Sequence, residues 1–220
     1  TQCEILSDFF KQTKLNINLL DLDNDKTVYD ALSSDELLPY GLYQISADCM
    51  LKVVKKVKPK NIYELCDINA CSRPGALDYV DGYVKNEQEC PHPLFKDILS
   101  SSRNYCLYQE QMMQMLVAVG FTLDESEICR KIVGKKLVKE VEEWKEKIYT
   151  KVKENKLPVK VADVLWKILN DIAKYSFNRS HSFGVSYLGA LTTKCKYEYP
   201  LEFYTACLRA TNKLPNPVEE

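Results

Sequence analysis

Val161, Val164, Leu165, Ile168, Leu169 and Ile172 recur at i, i+3, i+4, i+7, i+8 and i+11. Only a helix gathers that spacing on one side. Pro158 sits at the first turn, where its missing N–H costs nothing, so the spacing predicts a helix reaching residue 175. The same period returns elsewhere. Residues 2–14 carry Ile5, Leu6, Phe9 and Phe10 on one face, and residues 108–119 carry Tyr108, Met112, Met115, Leu116 and Val119. Residues 47–58 bury Met50, Leu51, Val53, Val54 and Val57 and turn Lys52, Lys55, Lys56 and Lys58 the other way.

Punctuation agrees with these periods. Thr122-x-x-Glu125 has the form of a capping box and starts a helix to about residue 134. Gly120 stands where a left-handed C′ residue ends the helix before it. Ser46 is placed to cap 47–58, which Pro59 closes. Ser33-x-x-Glu36 reads as another capping box, beginning a short turn before Pro39, and 17–22 as a short extended run. Further helices are expected at 25–32, 61–71, 77–86, 137–155, 180–194 and 200–210, with a turn at Arg73-Pro74-Gly75 and a polar loop at 87–93. With only seven glycines in 220 residues, a glycine-turned sandwich or barrel is disfavoured. The expectation is an all-α, multi-helix domain with few or no strands.

Charge and cysteine content narrow the chemistry. The net charge is −1, so the total says nothing about partners, but residues 129–160 hold eleven Lys or Arg against five Glu. Nine irregularly spaced cysteines, no Cys-x-x-Cys and two His argue against a zinc site and for reduced thiols in a cytosol-like compartment. The longest stretch without Lys, Arg, Asp or Glu, 180–193, falls short of the ~20 residues a membrane span needs. The opening Thr-Gln-Cys-Glu reads as the start of a piece cut from a longer chain.

No phosphate-cradling glycine loop and no nucleophile elbow occur. Asp21, Asp23 and Asp25 imitate a calcium loop but lack its Gly at position 6 and its Glu at position 12, and helix capping accounts for them more simply. Two segments stand out. Arg130 and Lys131 are expected on the outer face of a helix whose Ile128, Ile132 and Val133 point inward, with Gly134-Lys135-Lys136 following. Fixed Arg and Lys cations beside a helix break suit phosphate recognition, and a solvated basic face explains them equally. Asn178-Arg179-Ser180-His181 opens a nearly uncharged, small-residue helix. That helix either admits a flat ligand, with an anion at its N-terminus, or is a buried central helix with His181 merely capping or packing.

These segments, in this order, resemble the fingers domain of the bacterial replicative DNA polymerase III alpha subunit, the C-family DNA polymerases. The matching residues are Tyr43-Gln44, Met50 and Lys58-Pro59; Asn69-Ala70-Cys71-Ser72-Arg73-Pro74-Gly75-Ala76-Leu77; and Tyr108-Gln109-Glu110-Gln111 through Gln114. Arg130-Lys131-Ile132-Val133-Gly134-Lys135-Lys136, Ser176-Phe177-Asn178-Arg179-Ser180-His181 and Tyr199 through Phe203 complete the set. Departures are Ser46-Ala47-Asp48-Cys49 where the family has Glu-Ser-Arg-Gly, Ala76 for proline, Ser176 for glycine, and Arg179 for lysine. Such divergence suits a phage or otherwise fast-evolving homologue.

The resemblance implies 1–40 as a helical lead-in after a missing palm, 41–211 as the fingers and 212–220 as a loose tail. It implies DNA-directed DNA synthesis by a parent nucleotidyltransferase, in which this chain positions the incoming deoxynucleoside triphosphate (dNTP) and the nascent base pair. Arg73, Arg130, Lys131, Lys135 and Lys136 would contact phosphates, Asn178, Arg179, Ser180 and His181 would line the base-pair pocket, and Tyr108, Gln109, Glu110 and Gln111 would support it. The Mg2+-binding carboxylates belong to the parent palm. This chain would hold no metal or cofactor and would be inactive alone. Implied partners are primer–template DNA, the dNTP, the palm and thumb, and, for the parent, the sliding clamp and other replisome subunits. No membrane is implied, and the setting is the cytoplasm of a bacterial or phage-infected cell. The competing reading is a non-catalytic helical DNA-binding or scaffold module.

Overall fold

The computed structural model describes residues 2–73, 75–135, 138–175 and 177–213. Its helices are α1 (Gln2–Thr13), α2 (Lys26–Ser33), α3 (Asp48–Val57), α4 (Ile62–Cys71), α5 (Val80–Lys85), α6 (Lys96–Leu99), α7 (Gln109–Ala118), α8 (Leu123–Gly134), α9 (Val138–Glu154), α10 (Val159–Tyr175), α11 (Arg179–Glu198) and α12 (Pro200–Thr211). Four short 3-10 turns join them, and the described residues contain no strand, only one parallel bridge between Tyr108 and Phe177. The fold is all-α, as the apolar period predicts.

The chain divides into two compact units, 1–69 with 183–220, and 70–182. In the first, α1 packs along α12, and Phe9, fully buried, meets the rings of Tyr199 and Phe203 edge-on at 6.1 and 6.4 Å. Asp25 caps α2 by accepting the Val28 N–H at 3.1 Å, and it also pairs with Lys194 at 2.6 Å. The part of α11 in this unit buries Ser186, Ala190, Thr192, Thr193 and Cys195. A Cβ on Gly189 would stand 3.3 Å from the Tyr43 carbonyl oxygen. Of the two readings of this small-residue helix, close packing by its own unit therefore holds for residues 183–198.

Local departures from the sequence reading have local causes. The expected extended run at 17–22 ends at Asn18, because the Asn18 side chain accepts the Leu20 N–H and winds Leu19–Asn24 into a 3-10 turn. Ser46 does not cap α3, whose cap is Ala47 with no side-chain hydrogen bond. The short turn expected after Ser33 forms, with Ser34 rather than Ser33 accepting the Glu36 N–H, at 3.1 Å. The expected helix at 77–86 is a 3-10 turn, Leu77–Tyr79, followed by the short α5. Helical turns at Pro93–Phe95, α6 and Ser100–Ser102 carry little apolar period and were not expected.

In the second unit, α7 to α10 enclose a core of Met112, Met115, Leu116, Cys129, Trp144, Ile148, Val161, Leu165 and Leu169. The Thr122–Glu125 capping box forms in both directions: Thr122 Oγ1 accepts the Glu125 N–H at 3.2 Å, and Glu125 accepts the Thr122 N–H at 2.7 Å. Gly120 takes its expected positive φ, 106°. Pro74 and 214–220 lie outside the described residues, as do the Val133 and Ile172 side chains. None of the nine cysteines forms a disulfide, and burial pushes the Cys129 and Cys195 thiols up to about 12.

Candidate functional site

Extended backbone at Leu107 and Tyr108 meets Phe177, just ahead of α11. The Gln109 N–H donates to the Phe177 carbonyl at 2.9 Å, and the Phe177 N–H donates to that of Leu107 at 3.2 Å. This bridge joins two segments far apart in sequence, and Gln111 fixes one side of it. The Gln111 amide oxygen accepts the Leu107 and Tyr108 N–H groups at 3.0 and 3.1 Å, while its nitrogen donates to the Ile98 carbonyl and to Ser102 Oγ at 3.1 and 2.6 Å. Gln111 is fully buried, and all four of its hydrogen-bonding positions are filled.

The other side of the bridge starts α11. Asn178 caps it, its side-chain oxygen accepting the His181 N–H at 2.8 Å and the Ser180 hydroxyl at 2.6 Å. Both Glu110 carboxylate oxygens accept the Arg179 backbone N–H, at 3.1 and 3.0 Å. Two of the amides that could have attracted an external anion are thus answered by the chain's own side chains. Asn178, Ser180 and His181 remain exposed, and the His181 ring meets buried Phe177 edge-on at 5.4 Å.

Cations surround the same bridge. The Arg73 guanidinium lies 3.7 Å from the Phe177 ring centroid and that of Arg179 5.3 Å from the Tyr108 ring centroid. Partial desolvation lowers the Arg73 pKa, and among the described residues no carboxylate pairs with it. Arg130 grips Glu127 with Nε and one terminal nitrogen, both at 2.6 Å, and its other terminal nitrogen donates to Gln109 at 3.1 Å. Three of its five N–H groups are engaged, leaving one on each terminal nitrogen. Lys131 approaches Glu127 at 3.5 Å and is largely exposed. Lys135 is exposed at the end of α8, and Lys136 lies outside the described residues.

The expected orientation of α8 needs one correction. Ile128 does not face inward but is 52% exposed; Ser126 and Cys129 are buried instead, with Ile132 partly covered. The core selects the small Ser126 and Cys129 because α8 runs close to α7 and α9. Arg130 is consequently half-covered rather than fully outward. Glu127 was not singled out from the sequence, although its position three and four residues before Arg130 and Lys131 is the ordinary spacing of a helical ion pair. The Arg130 hydrogen bonds hold the Glu127 carboxyl down at about 2.

Among the described residues, no three His, Cys, Asp or Glu gather where they could hold a metal ion. Asp23 accepts the Tyr187 hydroxyl and Asp25 caps α2. No described helix is long and apolar enough to cross a membrane. The site therefore offers cations, stacked aromatics and an exposed Asn-Ser-His turn on one bridge. That arrangement can bind and orient an anionic ligand.

A family model described as the bacterial DNA polymerase III alpha subunit finger domain matches residues 2–156. Relatives called DNA polymerase III subunit alpha include that of Aquifex aeolicus, 30% identical over 100% of this chain and 20% of the relative. That of Thermus aquaticus is 31% identical over 90% of the chain and 17% of the relative. In Treponema pallidum the figures are 30%, 88% and 17%. The chain spans about a fifth of the length of these relatives.

Proposed function

This chain belongs to the family of the bacterial DNA polymerase III alpha subunit finger domain, and from that premise we propose that it serves a DNA-directed DNA polymerase as the wall that grips the incoming dNTP and the nascent base pair. One observation carries the reading. Arg73, Arg130 through Gln109, and the Asn178–His181 turn all attach to a single backbone bridge, Tyr108 to Phe177. Phosphoryl transfer is largely a matter of placing the triphosphate and neutralising its charge. Arg73, Arg130, Lys131, Lys135 and Lys136 meet that demand as phosphate or backbone contacts. Asn178, Arg179, Ser180 and His181 line the base-pair pocket, and Tyr108 to Gln111 brace it.

In this reading the metal ions sit in the parent palm, whose carboxylates lie outside this chain, and residues 1–220 alone do not extend a primer. The working partners are primer–template DNA, the dNTP and the rest of the polymerase, in the cytoplasm. Within the parent, the primer–template Kd should rise with salt, as counterion release requires, and should tighten on adding the next correct dNTP. Arg73→Ala should remove most of the nucleotide-dependent tightening and leave most of the DNA affinity. Loss of DNA affinity alone would favour a simple DNA-binding module, and no effect on either would favour a scaffold.

A further inference from the structure

Glu110 stands on the first turn of α7, yet its hydrogen bonds go to another helix. Both of its oxygens accept the backbone N–H of Arg179, the first residue of α11, at 3.1 and 3.0 Å. A carboxylate facing a helix N-terminus is favoured by the dipole as well as by the hydrogen bond. The partner is main chain, so the contact fixes where α11 begins rather than where one side chain points. The same start is held by Asn178, which accepts the His181 N–H at 2.8 Å, and by the bridge through the Phe177 N–H and carbonyl. Asn178, Ser180 and His181 are exposed on a turn tied down from behind at three points.

Only one of these ties uses a charged group from α7. The adjacent α7 residue, Gln109, holds Arg130 at 3.1 Å. Two successive residues of one helix thus reach the two halves of the site, Gln109 the Arg130 cation and Glu110 the Asn178–His181 turn. A shift of the turn relative to α7 would change the distance between base-pair and phosphate contacts, and the Glu110 contact opposes that shift.

We infer that Glu110 is a positioning residue for nucleotide selection. By capping the start of α11 it locks the Asn178–His181 turn in one register against the Gln109–Arg130 contact, so that correct and incorrect base pairs meet a fixed wall. The inference rests on the reading of that turn as the pocket lining. It contributes no atom to the reaction and acts through Asn178, Ser180 and His181.

The test uses the full parent polymerase carrying Glu110→Ala and Glu110→Gln, with Glu143→Ala, an exposed residue on α9, as the unaffected control. Glu110→Ala should raise KM for the correct dNTP about tenfold or more, the scale of one charge-assisted hydrogen bond. It should narrow the ratio of correct to incorrect kcat/KM, leave the primer–template Kd unchanged, and speed amide exchange at Arg179. Glu110→Gln keeps one accepting oxygen and should fall between wild type and Glu110→Ala. The inference is overturned by unchanged exchange at Arg179, by unchanged KM and selectivity, or by a loss shared equally among correct nucleotide, incorrect nucleotide and DNA binding. Asn178→Ala and His181→Ala separate the two levels of argument. If those leave nucleotide kinetics unaltered, the pocket reading itself fails; if they alter kinetics while Glu110→Ala does not, only the inference fails.

Discussion

The Arg73 guanidinium carbon lies 3.7 Å from the centroid of the Phe177 ring, which fixes a cation from the loop after α4 directly over the bridge residue two positions before α11. Stacking of this kind is worth about 0.5–1 kcal/mol at exposed sites, and it holds the planar group in one orientation before any ligand arrives. Lysine keeps the charge and loses the stacked plane and the fork. Arg73→Lys in the parent enzyme should therefore raise KM for dNTP by about two- to fivefold, and Arg73→Ala by more. Phe177→Leu, which keeps the backbone bridge, should resemble Arg73→Lys. Steady-state incorporation opposite a defined template base reads all three, and an Arg73→Lys enzyme with wild-type KM would show that the stack does not organise the cation.

Gln111 bears on stability rather than chemistry. Its replacement by Leu orphans the Leu107 and Tyr108 N–H groups and the Ile98 carbonyl inside the second unit. Each buried unsatisfied group costs about 1–3 kcal/mol, so the two buried N–H groups alone should make Gln111→Leu destabilising by about 2–6 kcal/mol in urea denaturation. A change below about 0.5 kcal/mol, the range of neutral surface substitutions, would mean water replaces the amide without loss.

The Glu127–Arg130 fork gives a pH signature. Glu127 falls from an ordinary 4.5 to about 2, chiefly through its hydrogen bonds to Arg130. A carboxyl with a depressed folded pKa stabilises the fold fully above its unfolded value and loses that stabilisation as pH falls through the folded one. The pair should thus persist down to about pH 2, losing its contribution between 4.5 and about 2. A carboxyl-carbon NMR titration of Glu127 should find the low midpoint, and Arg130→Ala should return it toward 4.5. A midpoint near 4.5 in the unaltered protein would mean the fork does not form in solution.

Where apolar period is strong, sequence and structure agree. α7 and α10 differ from their expected bounds by a residue or two, because many buried contacts enforce the period. Where a polar side chain decides the backbone, the sequence misleads. Asn18 winds Leu19–Asn24, and Ser46 cedes the α3 cap to Ala47. The buried face of α8 differs from its apolar pattern for a related reason: the large Ile128 outweighs Ser126 and Cys129 in apolar size, yet close helix packing selects the small residues. The composition of the site is legible in its motifs. Its wiring is not, since Glu110 reaching Arg179 and Gln109 reaching Arg130 are contacts across the fold that no local period encodes.

The most direct test of the central claim is single-turnover nucleotide incorporation by the parent polymerase carrying Arg130→Ala or Lys131→Ala, at saturating primer–template. Lys131 is largely exposed, so its loss should leave folding within about 0.5 kcal/mol, while Arg130→Ala also frees Glu127 and Gln109 and should cost somewhat more. If these cations neutralise the triphosphate in the transition state, the maximal incorporation rate should fall about tenfold or more, as a hydrogen bond to a charged group worth ~1.5–3 kcal/mol requires. Added DNA should not restore it. Unchanged single-turnover rates together with unchanged DNA affinity would contradict the account, leaving Arg130 and Lys131 as partners of Glu127 and Gln109 only.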